Sequence, residues 1–186
     1  MYIYTIGHYS HTKEEFIALL KQAEIEVLVD VRSFPGSRKF PWFAKEKMAE
    51  WLPAAGIEYT HIEELGGRRQ PSQLVSPALN GGWQNQSFHN YADYTLSHCF
   101  QEGLKQLTEI ASSKRTAYCC SERHPARCHR LIISNWLAVH DWDVVHIVPT
   151  SEGTGELVPH ELGKWGAMPI IEQDDTVVYP ELSTDK

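Results

Sequence analysis

The run Ala117-Tyr118-Cys119-Cys120-Ser121-Glu122-Arg123-His124-Pro125-Ala126-Arg127-Cys128-His129-Arg130 passes from apolar to polar within a few residues. It then enters a helical pattern at Leu131, Ile132, Trp136 and Leu137. A strand that leads through a loop to a helix N-terminus is the place where open α/β sheets hold their ligands. Between Tyr118 and Arg130 stand three of the four cysteines, three of the eight arginines, two histidines and a glutamate. Structural needs alone rarely concentrate such groups, so this stretch is read both as a fold marker and as the candidate site.

The same strand-then-helix pattern repeats on either side of it. Residues 2–6 form a first strand ending at Gly7-His8, and Thr12 with Glu15 makes a capping box ahead of Phe16, Leu19, Leu20 and Ala23. Val27-Leu28-Val29-Asp30-Val31 is a continuous apolar strand interrupted by one acid. Met48, Trp51, Leu52 and Ala55 predict a second helix closed by Gly56, with Pro53 straining its end. Residues 57–62 predict a third strand, Asn90 to Ser112 one long helix, Thr116 to Cys120 a fourth strand, 127–140 a helix, and 144–148 a fifth strand. Thr176 to Tyr179 adds a strand in the tail. This alternation predicts an α/β fold, a mostly parallel sheet of about five strands with helices on both faces, in a single domain over residues 1–186. Residues 63–89, with Gly66-Gly67 and Gly81-Gly82, read as a long loop or lid. Residues 150–186 read as an acidic extension packed on the domain.

Hydrophobic content of 42% suits a globular chain, and no apolar run approaches a membrane span. The N-terminal residues lack the basic start of a signal peptide, and adjacent Cys119 and Cys120 do not resemble a secreted disulfide framework. The expected compartment is the reducing cytoplasm, with no membrane partner. The net charge of −7 argues against non-specific attachment to nucleic acid. It is unevenly spread: from residue 150 onward there are eight acids, including Asp185, against Lys164 and Lys186. Seven of the eight arginines fall in three segments, Arg32 and Arg38, Arg68 and Arg69, and Arg123, Arg127 and Arg130. Brought together, those segments would make a positive pocket for a discrete anion in an acidic protein.

Taken together, Gly7-His8, Val29-Asp30-Val31-Arg32 with Pro35 and Ser37, Leu65-Gly66-Gly67, and Cys120-x-Glu122-x-x-Pro125-x-x-Cys128-His129-Arg130 resemble the domain-of-unknown-function 488 family. The resemblance runs from residue 2 to about Pro180 and includes Pro159-His160; it departs at Tyr9 and Ser121. It implies an α/β fold and a shared pocket, and carries no reaction with it. Two other likenesses are weaker. Val-Asp-Val-Arg is similar to the strand end of rhodanese-like domains, and a cysteine before an arginine-ended loop is similar to cysteine phosphatases. Cys120 to Arg127, however, holds Pro125 and no glycine, so no amide loop wraps an anion there, and chemistry by that mechanism is disfavoured.

The candidate catalytic residues are Glu122, Cys120, Cys128, His129 and Asp30. Cys128 falls in the expected first helical turn, where the helix N-terminus, Arg127 and Arg130 would activate a thiol; packing beneath the helix is the plainer role. Cys120 is similar, while Cys119 and Cys99 read as core. Glu122 is the candidate acid/base, against a helix-end charge or a salt bridge. Asp30 interrupts an apolar strand, so it needs a partner, either an arginine from another loop or a backbone cap. Gly7, His8, Arg32, Ser37, Gly66, Gly67, Arg68, Arg130 and His160 are the candidate substrate- and anion-binding groups. His8, His129 and His160 are types that shuttle protons or ligate metals. The Cys/His spacing lacks the paired Cys-x-x-Cys knuckle of a zinc site, and no metal ligand is assigned. Phe34, Trp42, Phe43 and Trp83 are available to stack on a ring.

These features predict an enzyme acting on a small phosphate-bearing or nucleotide or nucleobase substrate. The alternatives are a non-catalytic module binding a nucleotide or nucleic-acid end, and a metal-binding protein using the Cys/His cluster. The motifs name no cofactor.

Overall fold

The computed structural model describes residues 1–183; Asp185 and Lys186 lie outside them. Six strands, β1 (Tyr2–Gly7), β2 (Val27–Asp30), β3 (Glu58–His61), β4 (Thr116–Cys120), β5 (Asp143–Pro149) and β6 (Gly155–Pro159), form one sheet in the order β3-β2-β4-β1-β5-β6. Every pair is parallel except β5 with β6. A separate two-stranded ribbon pairs β7 (Ile170–Ile171) with β8 (Val177–Val178). The helices are α1 (Lys13–Gln22), α2 (Lys45–Ala54), α3 (Gln86–Tyr94), α4 (His98–Ser113) and α5 (Arg130–Val139).

Strand alternation divides the core into two layers. Ile6, Leu28, Ala117 and Cys119 face α1 and α2, packing with Phe16, Leu20, Met48 and Leu52. Ile3, Val27, Val29 and Tyr118 face the other way, onto Leu104, Leu107, Ile133 and Leu137 of α4 and α5. The predicted α/β sheet with helices on both faces is the observed one. Thr12 caps α1 with the expected box, its hydroxyl accepting from the Glu15 N–H while the Glu15 carboxylate accepts from the Thr12 N–H. Pro53 sits in the last turn of α2, and Gly56 takes the positive φ of 83° that ends it.

Four expectations are corrected. A sixth strand, β6, extends the sheet. It went unread because Gly-Glu-Leu-Val-Pro carries an acid and a proline, both tolerated on an edge strand. The single helix expected from Asn90 to Ser112 is two helices, because Ser97 turns out of the helix and caps α4 by accepting from the Phe100 N–H. Its partner α3 starts earlier, at Gln86, capped by Asn85, which leaves 66–85 as the irregular part of the expected loop. Cys99, expected in the core, is exposed on the first turn of α4. Finally, α5 starts at Arg130 rather than 127, because Pro125–Arg127 forms a short 3-10 turn that ends with Cys128 extended.

The tail returns to the body of the protein. Tyr179 is buried, with its N–H donating to the Leu79 carbonyl and to Asn80 Oδ1. Among the described residues no helix is long and apolar enough to cross a membrane.

Candidate active site

Because β4 lies between β2 and β1, the carboxyl ends of those three strands are neighbours. Gly7 is in register with Cys120, and Asp30 with Cys119. Beyond the ladder, the His8 N–H donates to the Cys120 carbonyl and the Val31 N–H to the Cys119 carbonyl. This edge floors a cleft of about 950 Å³ lined by His8, Arg32, Ser37, Gly67, Arg68, Cys120, Glu122, Cys128 and His129 among the predicted residues. Lys39, Asn85, Phe40 and Phe88, which the sequence reading did not name, line it as well, together with Phe34 and Arg127. Gly7, Asp30, Gly66, Arg130 and His160 are not on the lining. Of the aromatics, Phe34 is exposed there, whereas Phe43 and Trp83 are buried in the core.

Two buried arginines stand on opposite faces of the sheet, and the contrast between them defines the chemistry. Arg32, on the α2 side, is neutralised. Its Nε donates to Asp30 Oδ1 at 2.9 Å and its Nη2 to Asp30 Oδ2 at 2.6 Å, with further bonds to the Phe43 carbonyl and Met48 Sδ. Tyr59 OH donates to the same Oδ2 at 2.6 Å. The partner of Asp30 is therefore Arg32, two residues on, rather than an arginine from another loop: β2 ends at Asp30, and the chain beyond it is free to fold the guanidinium back. Asp30 is fully buried and saturated. His8 completes this half, its Nδ1–H donating to the Tyr9 carbonyl and its Nε2 accepting from Arg32 Nη1 at 3.3 Å. Burial and the adjacent Arg32 charge lower its pKa to about 4, so it is neutral.

Arg130, on the α5 side, is fully buried too, but no carboxylate among the described residues bonds to it. Its Nε donates to Cys120 Sγ at 3.0 Å, its Nη1 to Thr5 Oγ1 at 2.9 Å and its Nη2 to the Glu122 carbonyl at 2.8 Å. Its backbone N–H points at Cys128 Sγ, 3.4 Å away. Cys128 thus precedes α5 instead of lying in its first turn, yet its sulfur still receives an N–H from the helix start. Burial pushes both thiols up. At Cys120 burial prevails and the thiol stays protonated. At Cys128 it is outweighed by the Cys120 thiol, the Arg130 charge and the Arg130 N–H, which together hold it below the ordinary cysteine value.

His129 adds a proton acceptor. Its Nε2–H donates to the Val31 carbonyl at 2.6 Å, which fixes the tautomer and leaves Nδ1 bare, 3.3 Å from Cys128 Sγ. Burial holds this imidazole below its ordinary pKa, so it is neutral. Gly67 is required by the ring, since a Cβ there would sit 2.4 Å from His129 Nδ1. Gly66 is required by Ser33, whose Oγ also accepts from the Arg68 N–H. The glycine pair therefore presses the loop onto the site.

A buried polar chain supports Arg130 from behind. Arginine only donates, so Thr5 Oγ1 accepts from it and passes its own O–H to His146 Nδ1 at 2.7 Å. His146 Nε2–H then donates to His160 Nδ1 at 2.9 Å, and His160 Nε2–H to Asn135 Oδ1 at 2.7 Å. Burial lowers the pKa of His146 to about 2 and that of His160 to about 4. Every link is neutral, so the chain orients Arg130 without cancelling its charge. His160 sits at the far end of this chain rather than in the cleft. Thr5 and His146 were legible only as polar interruptions of two apolar strands, the signal that singled out Asp30.

Exposed cations complete the cleft. Arg68, near the Phe34 ring, and Arg127 stand on its walls, and Glu122, exposed, lines it too. Among the described residues no group of three or more His, Cys, Asp or Glu side chains is placed to hold a metal ion.

Fold and cleft together define an α/β protein with an arginine-supported cysteine pair at the carboxyl edge of a parallel sheet. The chain belongs to the family described as domain of unknown function DUF488, whose model matches residues 12–137. Gly7-His8 and Pro159-His160 lie outside that match. No curated protein and no solved structure matches the chain.

Proposed function

We propose that the cleft is the active site of a cysteine-dependent enzyme acting on a small anionic substrate of the phosphate-bearing or nucleotide-like class. The observation that carries this reading is the buried Arg130 charge, which no carboxylate among the described residues meets, set against two cysteine sulfurs. A guanidinium does not neutralise itself by losing a proton, and an uncompensated buried charge is costly. A thiolate at Cys128 is the compensating charge within reach.

In this reading Cys128 is the nucleophile and His129 Nδ1 takes its proton when the thiol is the resting form. Arg32 and Arg130 are committed to internal partners, so the substrate anion falls to Arg68, Arg127 and Lys39 on the walls. Glu122 serves as the acid that protonates a leaving group. Phe34, Phe40 and Phe88 offer ring faces. Asp30 holds Arg32, and His160 supports the Arg130 chain.

The test combines thiol titration with turnover. Iodoacetamide should label Cys128 in preference to Cys119 and Cys120, with a pH midpoint below that of an ordinary thiol. A panel of phosphate-bearing and nucleotide substrates should give product with wild type and none with Cys128→Ala. Product from Cys128→Ala, or labelling of Cys128 only at the pH of a free thiol, overturns the reading. Binding of the panel without turnover by any variant supports the non-catalytic module instead.

A further inference from the structure

Cys120 and Cys128 are both free, both on the cleft wall, and both held by one residue, Arg130, through Nε and the backbone N–H. Cys120 Sγ lies 3.0 Å from Arg130 Nε and Cys128 Sγ 3.4 Å from the Arg130 backbone N, so both sulfurs stand against the same residue. A nucleophile alone would need one sulfur; the second is a protonated thiol beside it, buried to 2% exposure. Cys119, next in sequence, points to the opposite face of the sheet among Ile6, Leu28 and Met48, and has no access to the cleft.

We propose that Cys120 and Cys128 are a reversible redox pair, with Cys128 the sulfur attacked by a hydroperoxide and Cys120 the sulfur that resolves it. The proposal rests on the nucleophilic role given to Cys128 above. In the first step the Cys128 thiolate attacks the distal oxygen of a hydroperoxide. The O–O bond breaks, an S–O bond forms, the sulfur loses two electrons, and the alkoxide or hydroxide leaves and takes up a proton. The product is a sulfenic acid. In the second step Cys120 sulfur attacks that of Cys128, the S–S bond forms, the S–O bond breaks, and hydroxide leaves with the Cys120 proton as water. A dithiol reductant returns both thiols by exchange.

The arrangement suits each step. Arg130 favours the anionic sulfur before attack, while the enclosed position of Cys120 keeps it from competing for the oxidant. The disulfide would remove the nucleophile and so switch off the chemistry of the cleft until it is reduced. It would also tie the end of β4 to the extended residue between the 3-10 turn and α5.

Peptide mapping of the whole protein tests this directly. Tryptic cleavage places Cys119 and Cys120 in Thr116–Arg123 and Cys128 in Cys128–Arg130. After stoichiometric hydrogen peroxide, non-reducing mass spectrometry should show these two peptides joined, with fragmentation assigning the link to Cys120. Alkylation of Cys128 should fall at least tenfold and recover with dithiothreitol. In Cys120→Ser the same treatment should leave Cys128 as a sulfenic acid that dimedone traps, and excess peroxide should carry it on to sulfinic acid. In Cys119→Ser the link should persist. No link in oxidised wild type, or a link through Cys119, overturns the proposal. If Cys128 alkylates readily below the ordinary thiol range but never links, only this proposal fails. If the link forms while Cys128→Ala still turns substrate over, only the catalytic assignment fails.

Discussion

Replacing Gly7 by alanine tests the geometry on which the Arg130 site depends. A Cβ at Gly7 would lie 1.7 Å from the Glu122 carbonyl oxygen, 2.6 Å from its carbon and 3.1 Å from Arg130 Nη2. To regain an ordinary contact of 3.4 Å, the carbonyl must retreat by roughly 1.7 Å, since backbone on both sides leaves no flexible side chain to yield. That displacement breaks the 2.8 Å bond from Arg130 Nη2 to Glu122 O. A hydrogen bond to a charged group contributes about 1.5–3 kcal/mol. Overpacking a rigid contact costs about 1–3 kcal/mol more. Gly7→Ala is therefore expected to lower the unfolding free energy by about 2.5–6 kcal/mol, read as a lower urea midpoint at unchanged slope. Gly36→Ala, where a Cβ meets nothing within 4 Å, is the matched control and should stay within about 0.5 kcal/mol of wild type. Iodoacetamide labelling of Cys128 at neutral pH should fall in Gly7→Ala, because the guanidinium loses one of its three anchors. A Gly7→Ala protein within about 1 kcal/mol of wild type would refute the reasoning.

Three further outcomes follow from the same contacts. Arg130→Met removes the charge while keeping much of the volume; Cys128 labelling at neutral pH should slow at least tenfold, and unchanged labelling would mean the thiol owes nothing to Arg130. Asp30→Asn leaves Arg32 buried without its counter-charge and should cost about 3–5 kcal/mol in urea unfolding, against about 1 kcal/mol for Tyr59→Phe, which removes one hydrogen bond. His8 and His146 are held neutral, with folded pKa values of about 4 and about 2 against 6.5. Below pH 6.5 the unfolded chain takes up protons that the folded chain refuses, so stability is level above that pH and falls beneath it. The His8 share amounts to about 3 kcal/mol and is complete near pH 4, while the His146 share continues to grow toward pH 2. Urea unfolding free energies that stay level from pH 7 to pH 4 would contradict it.

The fold was legible wherever a pattern was local. The five parallel strands, the capping box of Thr12 and Glu15, and the helix closed by Gly56 all follow from spacing within a dozen residues. The split between α3 and α4 was hidden because Tyr91, Ala92, Leu96 and Phe100 keep an apolar rhythm through the break, and only the capping hydroxyl of Ser97 marks it. β6 was hidden because its faces are largely exposed. At the site, the Cys120–Arg130 motif and the residues at the ends of β1 and β2 could be named from sequence, and the cleft brings most of them together. Whether an arginine is free or already satisfied could not be read this way. Arg32 and Arg130 look alike as letters, yet one closes on a neighbour two residues away. The other is held by Thr5, 125 positions distant, and through it by His146.

The position of β4 between β1 and β2 also orders events in time. β1 pairs only with β4 and β5, so its edge has no partner until the chain has grown past residue 116. Such long-range parallel pairing is slow, because the loop must close before any contact rewards it. β2 can meet β3 early, but the two halves of the cleft, His8 beyond one strand and Arg32 beyond the other, are joined only when Cys119 and Cys120 arrive between them. On a ribosome the first hundred residues would wait as separate pieces until the strand that brings the cysteines enters between them, and β5 then closes the far edge of β1.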